Sequence, residues 1–215
     1  MMTTKKETIR IMVADDHPVF REGLYRAFSD TRDLKVVEEA GNGQELLDKA
    51  TTEKVDVVLL DISMNDEWSL DYMKELKVKF PDLPIIVLSV YPEKHFAMRY
   101  IKAGASGYLT KDSPLDVLKQ AVRKVAGGGK FLSPEFMEKI AFNFSGQDKQ
   151  PHEMLSDREF QVFCLLASGA SLTAIAEKLF LSVKTVSTHR SHILEKMKMQ
   201  TNAELIQYAI LNKVI

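Results

Sequence analysis

The sequence predicts a doubly wound α/β domain built on a five-stranded parallel sheet, joined to a smaller all-α domain of four helices. Three observations carry that prediction. Five short apolar runs alternate with five amphipathic stretches through residues 1–126, the pattern of parallel strands linked by crossover helices. Gly127, Gly128 and Gly129 then interrupt the chain, because three glycines cannot continue a helix cheaply. Beyond them no strand-like run remains, while helix starts recur. At 215 residues two domains of ordinary size are expected, since about 100–150 residues is the common domain length.

Taken in order, the expected strands are residues 9–13, 34–37, 55–60, 85–88 and 108–109. Each is a short, mainly apolar run bounded by polar or turn residues, as buried parallel strands show. The expected crossover helices lie at 19–28, 44–50, 70–80, 94–103 and 115–126. Residues 127–151 read as a linker, with a short helix at about 134–144 that starts at Pro134, a residue suited to the first helical turn. The second domain spans 152–215, with helices at 157–168, 172–179, 183–197 and 202–212. Their starts are marked by Ser156 with Glu159 and by Thr201 with Glu204, the Ser/Thr-x-x-Glu capping arrangement, and by Ser182.

Composition narrows the function classes. Hydrophobic residues at 45% and charged residues at 27% suit a globular chain with a real core. The net charge of −1 favours no partner. Its distribution says more: Lys178, Lys184, Arg190, Lys196 and Lys198 face one acid, Glu195, within residues 178–198. The single cysteine, Cys164, cannot form an internal disulfide, so reducing cytoplasm is the expected compartment. The apolar run after Lys5 and Lys6 is too short for a signal-peptide core. No run approaches the about 18 apolar residues of a membrane span, so no membrane partner is expected.

In a doubly wound sheet, ligands gather outside the C-terminal strand ends. Asp15 and Asp16 close the first strand, Asp61 the third and Ser89 the fourth, and Lys111 stands just past the fifth. Three carboxylates in one pocket raise one another's pKa unless cations compensate. A lysine and a divalent ion would do so. Oxygen ligands without sulfur suit Mg²⁺, which would also neutralise a phosphoryl group attacked in line by a carboxylate. His17, next to Pro18, reads as a helix start and not as a ligand.

With those residues set out, the chain resembles a two-domain response regulator of the NarL/FixJ type. The matching motifs are Ala14-Asp15-Asp16-His17-Pro18, Leu59-Leu60-Asp61, Leu88-Ser89 and Gly107-Tyr108-Leu109-Thr110-Lys111. The resemblance implies a receiver domain of flavodoxin-like strand order 2-1-3-4-5. It implies that Asp61 takes a phosphoryl group from a phosphohistidine of a sensor histidine kinase. It implies that Asp15, Asp16, Asp61 and the backbone carbonyl of Ser63 hold Mg²⁺. Lys111 would pair with the phosphoryl oxygens, Ser89 would hydrogen-bond them, and Tyr108 would turn into the space left as the Ser89 loop moves inward. Two positions depart from the family pattern: Asn65 stands where proline is common, and Ser69 where glycine is common. Asp66 and Glu67 add charge between them.

In the second domain, residues 172–180 and 183–197 joined by a turn at Leu181-Ser182 have helix-turn-helix spacing. Val186, Ile193 and Met197 form an apolar stripe, and Lys184, Thr185, Ser187, Thr188 and Ser191 fall largely away from it. Small hydroxyls interleaved with bases can approach a major groove. The segment resembles the LuxR-type output domain in Leu155-Ser156-Asp157-Arg158-Glu159, Ile175-Ala176 and residues 181–186 followed by His189. By that resemblance Lys184 and Thr185 contact the backbone of double-stranded DNA. Ser187, Thr188 and Ser191 occupy base-reading positions, Arg190 is a phosphate contact or a solvated charge, and His189 packs. The last helix, with Ala203, Ile206, Gln207 and Ile210 on one face, would form the seam of a homodimer. The expected protein is thus a transcription factor and not an enzyme. Two other readings stay open: a receiver that binds partners without phosphorylation, and a Mg²⁺-dependent phosphotransferase or phosphatase acting on a small molecule through Asp61.

Overall fold

The computed structural model describes residues 8–52, 54–64, 67–143 and 150–215. Its first compact unit ends at Ser133 and its second runs from Pro134 to Ile215. In the first unit, strands β1 (Ile9–Ala14), β2 (Leu34–Ala40) and β3 (Val57–Asp61) alternate with helices α1 (Pro18–Ser29) and α2 (Gly43–Thr52). After a two-residue pair of strands, β4 (Ser63–Met64) and β5 (Glu67–Trp68), follow α3 (Leu70–Lys79), β6 (Ile85–Ser89), α4 (Glu93–Lys102), β7 (Gly107–Thr110) and α5 (Leu115–Ala126).

The main sheet is parallel, in the order β2-β1-β3-β6-β7. Counting its five strands alone, this is 2-1-3-4-5, as the resemblance implies. Residues of β3 and β6 are buried throughout, which explains their unbroken apolar runs: helices cover both faces. Ile11, Val13, Val57, Leu59, Ile86 and Leu88 share one face with Leu24 and Phe28 of α1 and Leu118, Ala121, Val122 and Val125 of α5. The period of two sends their neighbours Met12, Val58, Leu60 and Val87, also buried, to the opposite face.

Two features of this unit are not visible in the periodicity. Ser63–Met64 pairs antiparallel with Glu67–Trp68, forming a small ladder where the sequence shows only a polar loop. The unit also continues past residue 126. Phe131 bridges Gly107 at the sheet edge, with Phe131 N–H donating to Ser106 O at 2.8 Å and Tyr108 N–H to Phe131 O at 3.3 Å. A Cβ on Gly107 would lie 2.9 Å from Phe131 O, so only glycine admits this approach. Ser133 then bonds the Glu93 carboxylate at the start of α4.

The second unit opens with α6 (Pro134–Asn143), followed by a 3-10 turn (Pro151–Met154), α7 (Asp157–Ala167), α8 (Leu172–Lys178), α9 (Val183–Met197) and α10 (Asn202–Leu211). The Ser156 side chain accepts from Glu159 N–H while the Glu159 side chain accepts from Ser156 N–H. Ser171, Ser182 and Thr201 cap the next three helices. Phe160 and Phe163 of α7, His152 and Tyr208 of α10 make an aromatic cluster. His152 Nδ1 lies 2.8 Å from the Tyr208 hydroxyl.

Candidate functional site

The parallel sheet delivers the acidic residues to one edge. β1 and β3 are adjacent, with Ala14 opposite Leu60, so Asp15 and Asp61 leave neighbouring strand ends. Asp61 pairs with Leu88, which places Ser89 one residue further along the next strand, and Ser89 pairs with Thr110, the neighbour of Lys111. Lys111 N–H donates to Ser89 O at 2.7 Å, fixing the strand end that carries the lysine.

Here Lys111 Nζ lies 2.7 Å from Asp15 Oδ2 and 2.9 Å from Asp61 Oδ2. Asp15 is 1% exposed and Asp61 4%. One ammonium therefore faces two buried carboxylates. Burial pushes the Asp61 carboxyl up, the Asp15 charge adds to this, and the Lys111 hydrogen bond opposes it; the result is about 6. Burial alone would lower the pKa of Lys111, but its bonds to Asp15 and Asp61 outweigh this and raise it. A ligand atom from each of Asp15, Asp16, His17 and Asp61 can be chosen so that all lie within 4.8 Å of one another. His17 is thus both the N-cap position of α1 and a member of the cluster. Its Nδ1 is 2.8 Å from Asp16 Oδ1 and 3.1 Å from Asp15 Oδ1. The sequence shows the helix start but not this second placement.

The donor set is rich in hard carboxylate oxygens and carries more negative charge than one lysine offsets, which fits a small divalent cation such as Mg²⁺. The backbone N–H of Ser63 donates to the Asp61 carboxylate, so the Ser63 backbone borders the cluster. Of the two departures, Asn65 lies outside the described residues. Ser69 is fully buried at the N-cap of α3 with φ −70° and ψ −3°. That is right-handed backbone, open to any residue, so nothing in its conformation demands glycine.

Ser89 is buried, and its Oγ accepts from Tyr91 N–H at 2.8 Å. Tyr108 is turned inward, 1% exposed, with its hydroxyl donating to Tyr91 O at 3.1 Å. Burial raises its pKa. Ser89 and Tyr108 thus hold the same short segment after β6 from two sides.

Two α1 residues near the pocket escaped the sequence reading. The Phe20 ring lies 4.7 Å from Lys111 Nζ. Arg21 donates to Asp15 O and to Glu39 Oε2. Their position one turn past the acid pair was a usable signal, because that turn must pass over the strand ends.

In the second unit Val186, Ile193 and Met197 are the buried stripe of α9. Lys184, Ser187, Thr188 and Ser191 are exposed at spacings of three and four, forming one face. Thr188 and Ser191 hydroxyls bond back to Lys184 O and Ser187 O. Thr185 is half-buried, its Oγ1 2.8 Å from Ser182 Oγ in the cap. Arg190 is turned aside: its Nε donates to Asn202 Oδ1 at 2.6 Å, joining α9 to α10. His189 is half-buried, and burial lowers its pKa. Sequence reading also missed Lys196, which binds both Glu159 oxygens at 2.7 and 2.9 Å and so ties α9 to the start of α7.

Fold and site together define a receiver coupled to a helix-turn-helix unit. Comparison with known proteins gives the same division: the response regulator receiver domain matches residues 11–123, and the luxR family of bacterial regulatory proteins matches residues 153–209. The chain belongs to the NarL/FixJ-type response regulators, DNA-binding proteins of two-component systems. It is 36% identical over 204 residues to the response regulator GacA of Pseudomonas viridiflava, covering 94% of this chain and 95% of that one. It is 34% identical over 215 residues to the oxygen regulatory protein NreC of Staphylococcus carnosus, covering 96% and 99%. Among solved structures it is similar to RcsB from Salmonella enterica serovar Typhimurium, bound to promoter rprA in the presence of the phosphomimetic BeF3−. That match has a TM-score of 0.70 and 25% identity, and covers 94% of this chain and 98% of RcsB. Among the described residues no helix is long and apolar enough to cross a membrane.

Proposed function

We propose that Asp61 accepts a phosphoryl group from a phosphohistidine of a sensor histidine kinase, and that the phosphorylated chain dimerises and binds promoter DNA through α9. The observation that carries the reading is the Lys111 ammonium held within 3 Å of both Asp15 and Asp61 at the edge of the sheet. A carboxylate oxygen of Asp61 attacks phosphorus, the phosphorus–nitrogen bond of the phosphohistidine breaks, and the imidazole leaves with the bonding pair. Asp15, Asp16, Asp61 and the Ser63 carbonyl would hold Mg²⁺, which when bound supplies positive charge to offset the incoming phosphoryl oxygens. Lys111, already between the two carboxylates, supplies a second charge. Ser89, whose Oγ accepts from Tyr91 N–H, then donates its hydroxyl proton to a phosphoryl oxygen, and Tyr108 follows that segment. Lys184 and the Thr185 side contact phosphates, while Ser187, Thr188 and Ser191 meet base edges. Arg190 serves as a brace between α9 and α10 through its Nε bond to Asn202.

The test uses the full chain with Mg²⁺ and acetyl phosphate, read by phosphate-affinity electrophoresis and by gel shift on promoter fragments. Wild type is expected to take up phosphate and gain DNA affinity; Asp61→Asn is expected to do neither. Equal DNA binding by both proteins under all conditions overturns the phospho-switch.

A further inference from the structure

Both α1 and β2 hold the backbone of Asp15. Its N–H donates to Ala40 O at 3.0 Å, and its carbonyl accepts from Arg21 Nη1 at 2.6 Å. The same guanidinium donates through Nε to Glu39 Oε2 at 2.9 Å. The Arg21 side chain is 18% exposed, which leaves it little room to leave this arrangement. The carbonyl it grips belongs to the peptide unit joining Asp15 to Asp16, so one planar group fixes the path of the chain between two members of the acid cluster. The planar fork of arginine suits this two-sided grip, and the ammonium of a lysine could not make both bonds in one plane.

From this geometry we infer that Arg21, braced by Glu39, is a positioning residue for the divalent-cation pocket: it orients the Asp15–Asp16 peptide and thereby raises the affinity of the acid cluster for the ion. The inference rests on the proposed role of that cluster. Partners that orient metal ligands typically change affinity by about 10- to 100-fold when removed. Arg21 also carries positive charge close to the pocket, and through space that charge alone would repel a cation. Charge and positioning therefore predict opposite signs for its removal.

The experiment titrates Mg²⁺ into the full chain and follows the fluorescence of Trp68, the sole tryptophan, whose backbone pairs with Ser63. Isothermal calorimetry provides a second reading. Arg21→Met is expected to weaken Mg²⁺ binding about 10-fold, and Arg21→Lys, which keeps the charge and loses the fork, to weaken it by a similar factor. In acetyl phosphate assays the half-saturating Mg²⁺ concentration is expected to rise while the rate at saturating Mg²⁺ stays near wild type. If Arg21→Met does not fold, Arg21→Lys decides. Affinity unchanged or increased in the folded variants overturns the inference while leaving the proposed function in place. A wild-type chain that binds no Mg²⁺ overturns the reading of the pocket itself, and this inference with it.

Discussion

Asp61 pays for its position with an unfavourable charge. Burial lifts its carboxyl to about 6, and Lys111 offsets only part of that. A carboxyl raised above its unfolded value binds its proton more tightly in the folded state, so its contribution favours folding at low pH and is lost as pH rises from about 4 through about 6. In metal-free buffer at pH 7.5, Asp61→Asn is therefore expected to be more stable than wild type by on the order of 2 kcal/mol. Urea denaturation across pH checks this, and the gap should close near pH 4. A gap that widens in acid would contradict the cause. The placement of Asp15, Asp61, Ser89 and Lys111 at neighbouring strand ends was legible because each stands at or just past the end of an apolar run that reads as a strand. The second placement of His17 was not, because it depends on a side chain folding back across two residues.

Between elements, the capping Glu159 also holds α9. Burial works to raise its pKa, but the Lys196 hydrogen bond and the Ser156 N–H outweigh it, and the net shift is downward. A depressed carboxyl stabilises the fold above its unfolded value and loses that contribution as pH falls through its folded value. Glu159→Gln, which keeps a capping side chain and loses the charge, is expected to lower stability by about 0.5–1 kcal/mol at pH 7, with the difference fading as pH falls below the unfolded value. Thermal melts at pH 7 and pH 3.5 measure it. On α9 itself, Lys184 is exposed and Arg190 is committed to Asn202. Lys184→Ala is expected to reduce the salt dependence of DNA binding by about one counterion. Arg190→Ala should leave that slope unchanged and cost about 1 kcal/mol of stability. A drop in slope for Arg190→Ala as large as for Lys184→Ala would return it to the phosphate contacts. Helical phase gave the exposed face of α9, but not what α10 would offer Arg190.

For the whole molecule, the acid cluster lies in one compact unit and α9 in the other. A signal at Asp61 can reach DNA only by changing how the chain associates or presents α9. Acetyl phosphate with Mg²⁺ is expected to shift the full chain toward a dimer in light scattering, with removal of Mg²⁺ by EDTA beforehand abolishing the shift. A shift that persists in Asp61→Asn would locate its cause elsewhere. On α10, Ile210 of the face that the resemblance assigns to the seam is exposed, and so is its neighbour Leu211.

The chain order alone determined the five-strand alternation, the strand-end acids, the helix caps and the helix-turn-helix spacing. These depend on periodicity and on residues near one another in sequence. Tertiary structure decided the rest. The carry-over of the first unit to Ser133 rests on an edge bridge between Gly107 and Phe131, 24 residues apart. The grip of Arg21 on Asp15, the Phe20 ring beside Lys111 and the Lys196–Glu159 link each join different elements. Sequence spacing says which face a side chain takes, and only the packed neighbours say what it meets there.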